Sequence, residues 1–140
     1  MARILTLTLN PALDLTVRLQ SLQPGAVNRS LGQSSHAAGK GLNVAQVLAD
    51  LGHSLSVGGF LGRANAAPFD SLMHKRGFHD LFVRVPGETR SNIKLAEADG
   101  CITDLNGPGP QVEAEHQARF FRRAAIAVRP DAETAVITPE

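Results

Sequence analysis

Apolar strand patterns alternate with helix patterns along most of this chain, and this alternation restricts its fold more than any other feature. The clearest helix is predicted from Gly41 to Leu51 and ends at Gly52. Its apolar stripe consists of Leu42, Ala45, Leu48, Ala49 and Leu51. The other predicted elements of this kind are strands at 3–9, 55–60, 81–85 and 135–138 and helices at 66–76 and 112–128. Because strands that alternate with helices form parallel sheets, the order predicts an α/β fold with a parallel core.

Several half-polar segments do not suit the inside of such a sheet. Residues 13–19 alternate apolar with polar side chains, which is typical of a half-exposed strand. Residues 27–35 are polar, and we interpret them as an exposed strand or loop. Residues 92–98 and 101–105 flank Asp99-Gly100, a dipeptide that favours a hairpin turn. We therefore expect these segments to form a separate small sheet over one edge of the core.

Composition excludes several classes of function. The chain has 140 residues and a net charge of +1, so it has no basic excess of the kind that binds nucleic acid or membrane surfaces. Residues 1–10 read as a strand and a turn rather than a signal peptide. Cys101 is the only cysteine, which excludes an internal disulfide and favours a cytoplasmic location. The five histidines lack metal-ligand spacing, so we predict no metal site from them.

A lysine between two glycines precedes the clearest helix, in Gly39-Lys40-Gly41. A helix start offers unpaired N–H groups and a positive dipole end, and glycines let an anion approach the backbone. Neither a Walker loop nor a dinucleotide fingerprint is present, since residues 34, 41 and 44 are Ser, Gly and Val. A glycine-rich turn with a solvated lysine is an equally good interpretation. Asn43 could bond a sugar hydroxyl or simply cap the helix.

Two further polar segments contain candidate binding residues. Asp14 follows the first strand closely, and ligands of α/β sheets bind beyond the carboxyl ends of strands. Arg90 has a rigid guanidinium fork suited to phosphate oxygens, and Lys94 can face the same side of a strand. Taken singly, Asp14 is better explained as a solvated acid on a half-exposed strand, and Arg90 and Lys94 fit the common pattern of a solvated polar strand.

Together and in this order, the segments resemble bacterial 1-phosphofructokinases, which belong to the PfkB/ribokinase-like family of carbohydrate kinases. The resemblance covers nearly the whole chain. It rests on Thr6-Leu7-Thr8-Leu9-Asn10-Pro11-Ala12-Leu13-Asp14, Gly39-Lys40-Gly41-Leu42-Asn43-Val44-Ala45, Phe60-Leu61-Gly62, Thr89-Arg90-Ser91-Asn92-Ile93-Lys94 and Asn106-Gly107-Pro108-Gly109-Pro110. The combination is specific to the branch of the family that acts on sugar phosphates.

The resemblance implies a ribokinase-like, parallel three-layer α/β core, incomplete here, with a small β-sheet lid inserted at about 12–36 and 88–106. Residues 1–140 would be the amino-terminal portion of one kinase domain. The implied reaction transfers the γ-phosphate of ATP to fructose 1-phosphate with Mg²⁺ and gives fructose 1,6-bisphosphate. Lids of this family often pair between subunits, so a homodimer is implied. The substrate-binding residues implied are Asp14, Gly39, Lys40, Asn43, Arg90 and Asn92, with Asp14 on sugar hydroxyls, Gly39 and Asn43 lining the sugar site, and Lys40 and Arg90 on the phosphate.

The sequence departs from the family pattern at three places. Ala38 replaces a usual glycine, and residues 63–66 replace a more glycine-rich, acidic stretch. The family's Gly-Ala-Gly-Asp, whose aspartate is the catalytic base, does not occur, so no catalytic residue is assigned and no meaningful turnover is expected. An unpaired strand edge at 135–138 predicts association or poor solubility. Tagatose 6-phosphate or fructose 6-phosphate as substrate, a non-catalytic sugar-phosphate-binding module and an inactive truncated gene product remain alternatives.

Overall fold

The computed structural model describes residues 2–128 and 134–137, which form nine strands and three α-helices. The strands are β1 Arg3–Thr8, β2 Ala12–Leu19, β3 Gly32–Ala38, β4 Ser54–Gly62, β5 His79–Asp80, β6 Val83–Val85, β7 Arg90–Glu97, β8 Ile102–Asn106 and β9 Thr134–Ile137. The α-helices are α1 Lys40–Asp50, α2 Ala67–Arg76 and α3 Ala114–Ala127, and a short 3₁₀ helix spans Arg63–Asn65.

The larger sheet is parallel, in the order β5-β4-β1-β9, with β6 paired to the end of β4. Its central strand β4 separates two apolar clusters. Leu55, Val57 and Leu61 face α1 and α2, whereas Phe60 packs with Phe120 of α3. Because successive side chains of a strand point to opposite faces, these clusters lie on the two sides of the sheet. The core is thus a parallel α/β sandwich of three layers, as the resemblance implies.

Core packing follows from the helix patterns read in the sequence. Leu42 and Ala45 of α1 are fully buried, as is Phe69 of α2. Gly77 ends α2 in the left-handed conformation (φ 68°), which only glycine adopts without strain. Leu51 is a correction to the predicted stripe, because it follows the end of α1 and is 69% exposed.

The half-polar segments form a second sheet of four strands, in the order β3-β2-β7-β8. The two outer pairs are antiparallel and the central pair β2–β7 is parallel. The predicted hairpin is present, with Gly100 at φ 92° in the turn between β7 and β8. The segment interpreted as strand or loop at 27–35 is displaced, since β3 begins at Gly32 and ends at Ala38. Residue 138 of the last predicted strand lies outside the described residues.

Candidate functional site

The strand register of the second sheet brings polar residues that are distant in sequence side by side on one face. Residues that pair directly across neighbouring strands form what we call a row. Asp14 of β2 pairs with His36 of β3 and with Asn92 of β7, which in turn pairs with Asn106 of β8. Paired residues share a face, and adjacent strands lie only about 4.8 Å apart. Asp14 and Asn92, 78 positions apart in the sequence, are therefore immediate neighbours.

The adjacent row places a guanidinium beside that pair. Arg90 pairs with Ala12, and Ala12 pairs with Ala38 on the other side. Since Arg90 and Asn92 are two positions apart on one strand, they point to the same face. Arg90, Asn92 and Asp14 form what we call the polar triad. It combines a cationic fork, an amide and a carboxylate on one surface.

Two buried atoms of the polar triad lack partners. Arg90 Nε and Asn92 Oδ1 are inaccessible to solvent and have no hydrogen-bond partner in the described part of the chain. Buried polar atoms in folded proteins are nearly always hydrogen-bonded, and leaving one unpaired costs on the order of 1–3 kcal/mol. Unpaired buried polar atoms of this kind are expected where a ligand or an ordered water completes the hydrogen bonding.

The carboxylate of the triad is half-buried, with 26% of its side chain exposed. His36 Nε2 lies 3.9 Å from Asp14 Oδ2 across the β2–β3 pair. Asp14 thus has an imidazole on one flank and the Asn92 amide on the other. Such a carboxylate can accept hydrogen bonds from two neighbouring hydroxyl groups of a sugar.

Lys94 belongs to a third row and has a different partner. It pairs with Thr16 on one side and Asp104 on the other, and its Nζ lies 3.0 Å from Asp104 Oδ1. The two side chains form an exposed ion pair. Lys94 therefore shares a face with Arg90, as predicted, but its charge is already balanced.

The Gly39-Lys40-Gly41 segment continues directly from the row that contains Arg90, because Gly39 follows Ala38. Gly39 is the N-cap of α1 with φ 148°, and a Cβ there would lie 2.4 Å from Thr8 Cγ2. No side chain caps this helix start. Its first N–H groups and its positive dipole end are thus available to an anion.

The six residues predicted from the sequence are brought together to different degrees. Asp14, Arg90 and Asn92 occupy adjacent rows of one face, and Gly39 follows the end of β3 beside them. Lys40 and Asn43 are exposed in the first turn of α1. Within the described residues, no ion pair or hydrogen bond joins Lys40 or Asn43 to the polar triad. Their roles in binding stay predictions.

Sequence reasoning missed the flanking residues of the site. His36 lies one residue beyond the segment interpreted as strand or loop at 27–35, and only the β2–β3 register sets it opposite Asp14. Asn106 lies in a motif of the resemblance, but only the β7–β8 register sets it opposite Asn92. The Gly107–Pro110 segment after it packs near the start of β2, since a Cβ at Gly109 would lie 2.4 Å from Asn10 Oδ1.

Two kinds of feature are absent from the described residues. No group of three or more His, Cys, Asp or Glu side chains there could hold a metal ion. None of the helices in 2–128 is long and apolar enough to cross a membrane.

Comparisons with known proteins agree with the fold. The profile of the pfkB family carbohydrate kinases matches residues 7–128. The chain is 51% identical over 118 residues to the 1-phosphofructokinase of Vibrio cholerae. The aligned region covers 83% of this chain and 37% of that protein. The chain therefore spans little more than a third of the length of this curated relative.

Solved structures show the same fold. Escherichia coli phosphofructokinase-2 in complex with fructose-6-phosphate matches 99% of this chain and 45% of its own, with a TM-score of 0.84 and 26% identity. The tetrameric inhibited form of that enzyme matches with a TM-score of 0.83, the same 26% identity, and coverage of 99% and 45%. With the family profile matched over most of its length and a ribokinase-like core, this chain belongs to the pfkB family of carbohydrate kinases.

Proposed function

We propose that this chain carries the sugar-phosphate site of a 1-phosphofructokinase, which uses ATP to convert fructose 1-phosphate into fructose 1,6-bisphosphate. The support is the 51% identity to a curated 1-phosphofructokinase over 118 residues, together with the site geometry. The observation that carries the proposal is the unpartnered, buried Arg90 Nε beside the unpartnered Asn92 Oδ1, next to Asp14 on the same face.

Each member of the site has a chemical task in this proposal. Arg90 holds the phosphate already on the substrate through its fork of donors, and Lys40 adds charge from the start of α1. Asp14 accepts hydrogen bonds from sugar hydroxyls, and Asn92 supplies an amide beside it. Gly39 leaves the backbone open to the sugar, and Asn43 lines the same side. The chain has a single cysteine, Cys101, and therefore no internal disulfide, which accords with a protein of the reducing cytoplasm.

The second sheet serves as a lid over that site, and its opposite face pairs with the lid of a second copy. Leu15, Ile93 and Leu105 lie on this opposite face, and Leu105 is 51% exposed. An apolar strip on a four-stranded sheet is a suitable surface for association. Tetrameric phosphofructokinase-2 has the same fold, which supports assembly as a property of this architecture.

The proposal assigns no catalytic base within these 140 residues. The sequence contains no Gly-x-Gly-Asp, the motif whose aspartate takes the hydroxyl proton in the family. ATP and Mg²⁺ enter through family membership alone, because no carboxylate cluster in the described residues fits a metal ion. The residues of this chain therefore account for binding of the sugar phosphate and for no step of phosphoryl transfer.

Thermal unfolding in the presence of candidate sugars tests this function. A ligand present at 100 times its dissociation constant should stabilise the fold by about 2.7 kcal/mol. We expect fructose 1-phosphate to raise the melting temperature more than fructose, fructose 6-phosphate or tagatose 6-phosphate does. Equal melting temperatures with fructose 1-phosphate and fructose would contradict the phosphate site. The chain mixed with ATP, Mg²⁺ and fructose 1-phosphate should form no fructose 1,6-bisphosphate.

A further inference from the structure

An asparagine outside the polar triad clasps the residue that precedes Arg90. The backbone N–H of Thr89 donates to Asn65 Oδ1 at 2.8 Å, and Asn65 Nδ2 donates to the Thr89 carbonyl oxygen at 2.9 Å. The side-chain amide thus pairs with both polar groups of one residue, as a neighbouring strand would. Residues 65 and 89 are far apart in sequence, so the clasp joins the end of the core to the start of β7.

Two further contacts fix the same residue. The N–H of Gly62, the last residue of β4, donates to Thr89 Oγ1 at 2.8 Å, and this bond is buried. A Cβ at Gly62 would lie 2.2 Å from Thr89 N and from Glu88 C, so only glycine permits this approach. Thr89 is 2% exposed. Three hydrogen bonds and a close backbone contact therefore tie it to the core.

Arg90 is the first residue of β7 and follows this anchored residue directly. Its Nε is buried without a partner in the described chain, so no hydrogen bond of that atom holds the guanidinium in place. The position of the fork then depends on the backbone to which the side chain is attached. A displacement of about 1 Å in a positioning group can cost up to about a hundredfold in function.

We infer that Asn65 is a positioning residue: by clasping Thr89 to the end of β4, it sets where Arg90 presents its guanidinium to the phosphate of the sugar. This inference rests on the proposed function for the identity of the ligand. It assigns a task to Asn65, within the stretch 63–66 that departs from the family pattern in the sequence. It also makes the junction between core and second sheet a determinant of phosphate affinity.

Variants of the full 140-residue chain test the inference. Asn65→Ala removes the clasp, Thr89→Val removes the acceptor for Gly62, and Thr89→Ser keeps it. Asn28→Ala is a matched control, because Asn28 also clasps backbone groups reciprocally: it accepts from Gln23 N–H and donates to the Gln23 carbonyl oxygen. Asn28 lies in the exposed loop beyond Leu19, at the opposite end of β2 from Arg90.

Two readouts separate positioning from general destabilisation. Calorimetric titration with fructose 1-phosphate and with fructose, well below the melting temperature, gives the preference for the phosphorylated sugar. Asn65→Ala and Thr89→Val should weaken fructose 1-phosphate binding about tenfold and change fructose binding less than twofold. Thr89→Ser and Asn28→Ala should keep the preference. In NMR of the unliganded chain, the Arg90 Nε–H should exchange slowly with water and should exchange faster in Asn65→Ala.

The failure of this inference differs from the failure of the proposed function. A wild-type chain that binds fructose and fructose 1-phosphate equally overturns the proposed function, and the NMR exchange of Arg90 then still tests the positioning. If Asn65→Ala keeps both the wild-type preference for fructose 1-phosphate over fructose and the wild-type exchange rate of the Arg90 Nε–H, the inference is overturned and the proposed function is not. Equal weakening of both sugars in Asn65→Ala also overturns it, because that pattern shows a general loss of structure.

Discussion

Gly41 lies against Thr8 at the end of the first strand: a Cβ atom added to Gly41 would lie 2.3 Å from Thr8 Oγ1 and 2.4 Å from the carbonyl oxygen of Leu7. The carbonyl belongs to a central strand of the parallel sheet and cannot move aside without disturbing it. This approach brings the start of α1 to the carboxyl end of β1, next to the polar triad.

Gly41→Ala should therefore destabilise the fold. Overpacking of this kind costs about 1–3 kcal/mol, which should outweigh the roughly 1 kcal/mol by which alanine is preferred over glycine in a helix. Urea unfolding measures the difference. Gly58→Ala is the control, because its Cβ would make only an ordinary contact, 3.4 Å from Leu7 Cδ2. Equal stability of the Gly41→Ala variant and the wild type would contradict the close approach.

Asp14→Asn should weaken the binding of fructose 1-phosphate. Hydrogen bonds to a charged group contribute about 1.5–3 kcal/mol each, so loss of the charge should reduce affinity about tenfold or more. Calorimetric titration gives the dissociation constants. Ser34→Ala serves as control, since Ser34 lies on the same face opposite Thr16, one row beyond Asp14. If the two variants bind with the same affinity, Asp14 does not contact the sugar.

Lys94→Met should leave fructose 1-phosphate affinity within about twofold of wild type, because the Lys94 ammonium already pairs with Asp104 at 3.0 Å and exposed pairs contribute little. Lys40→Met, which removes a charge without a partner in the described residues, should weaken binding several-fold. Titration at two salt concentrations shows whether the losses are electrostatic. A larger loss in Lys94→Met than in Lys40→Met would reverse this assignment.

Cys101 should react slowly with alkylating reagents despite its exposure. Its hydrogen bond to the Glu97 carboxylate, followed by the negative charge of Glu97, raises the pKa of the thiol above its usual range. The protonated thiol therefore persists to higher pH, and only the thiolate reacts. Glu97→Gln should lower that pKa and speed alkylation by iodoacetamide at pH 8, and Asp99→Asn should do so less. An alkylation rate in Glu97→Gln equal to or below that of wild type would refute this.

Local patterns were sufficient to predict the core. Three features of the core and its connections depend only on residues within one helix or one hairpin, so the sequence shows them directly. They are the apolar stripe with Leu42 and Ala45, the helix end at Gly77 and the turn at Gly100. Leu51 was assigned wrongly because periodicity alone does not locate the last helical residue.

The site required information that periodicity lacks. Asp14 and Asn92 become neighbours only through the parallel pairing of β2 with β7, and nothing in either segment identifies the other as its partner. The resemblance to a kinase family named both residues, although the sequence could not give their register. The role of Asn65 could not be predicted from the sequence. Its side-chain amide bonds the backbone of Thr89 as a neighbouring strand would, and a single contact of this kind leaves no repeating pattern.

Titration of Arg90→Gln with fructose 1-phosphate and with fructose tests the phosphate grip most directly. The wild-type chain should bind the phosphorylated sugar at least about tenfold more tightly, since a charged, two-pronged hydrogen bond is worth more than 1.4 kcal/mol. Arg90→Gln should lose most of that preference while melting at nearly the wild-type temperature. A folded Arg90→Gln variant that keeps the full preference for fructose 1-phosphate would contradict the account.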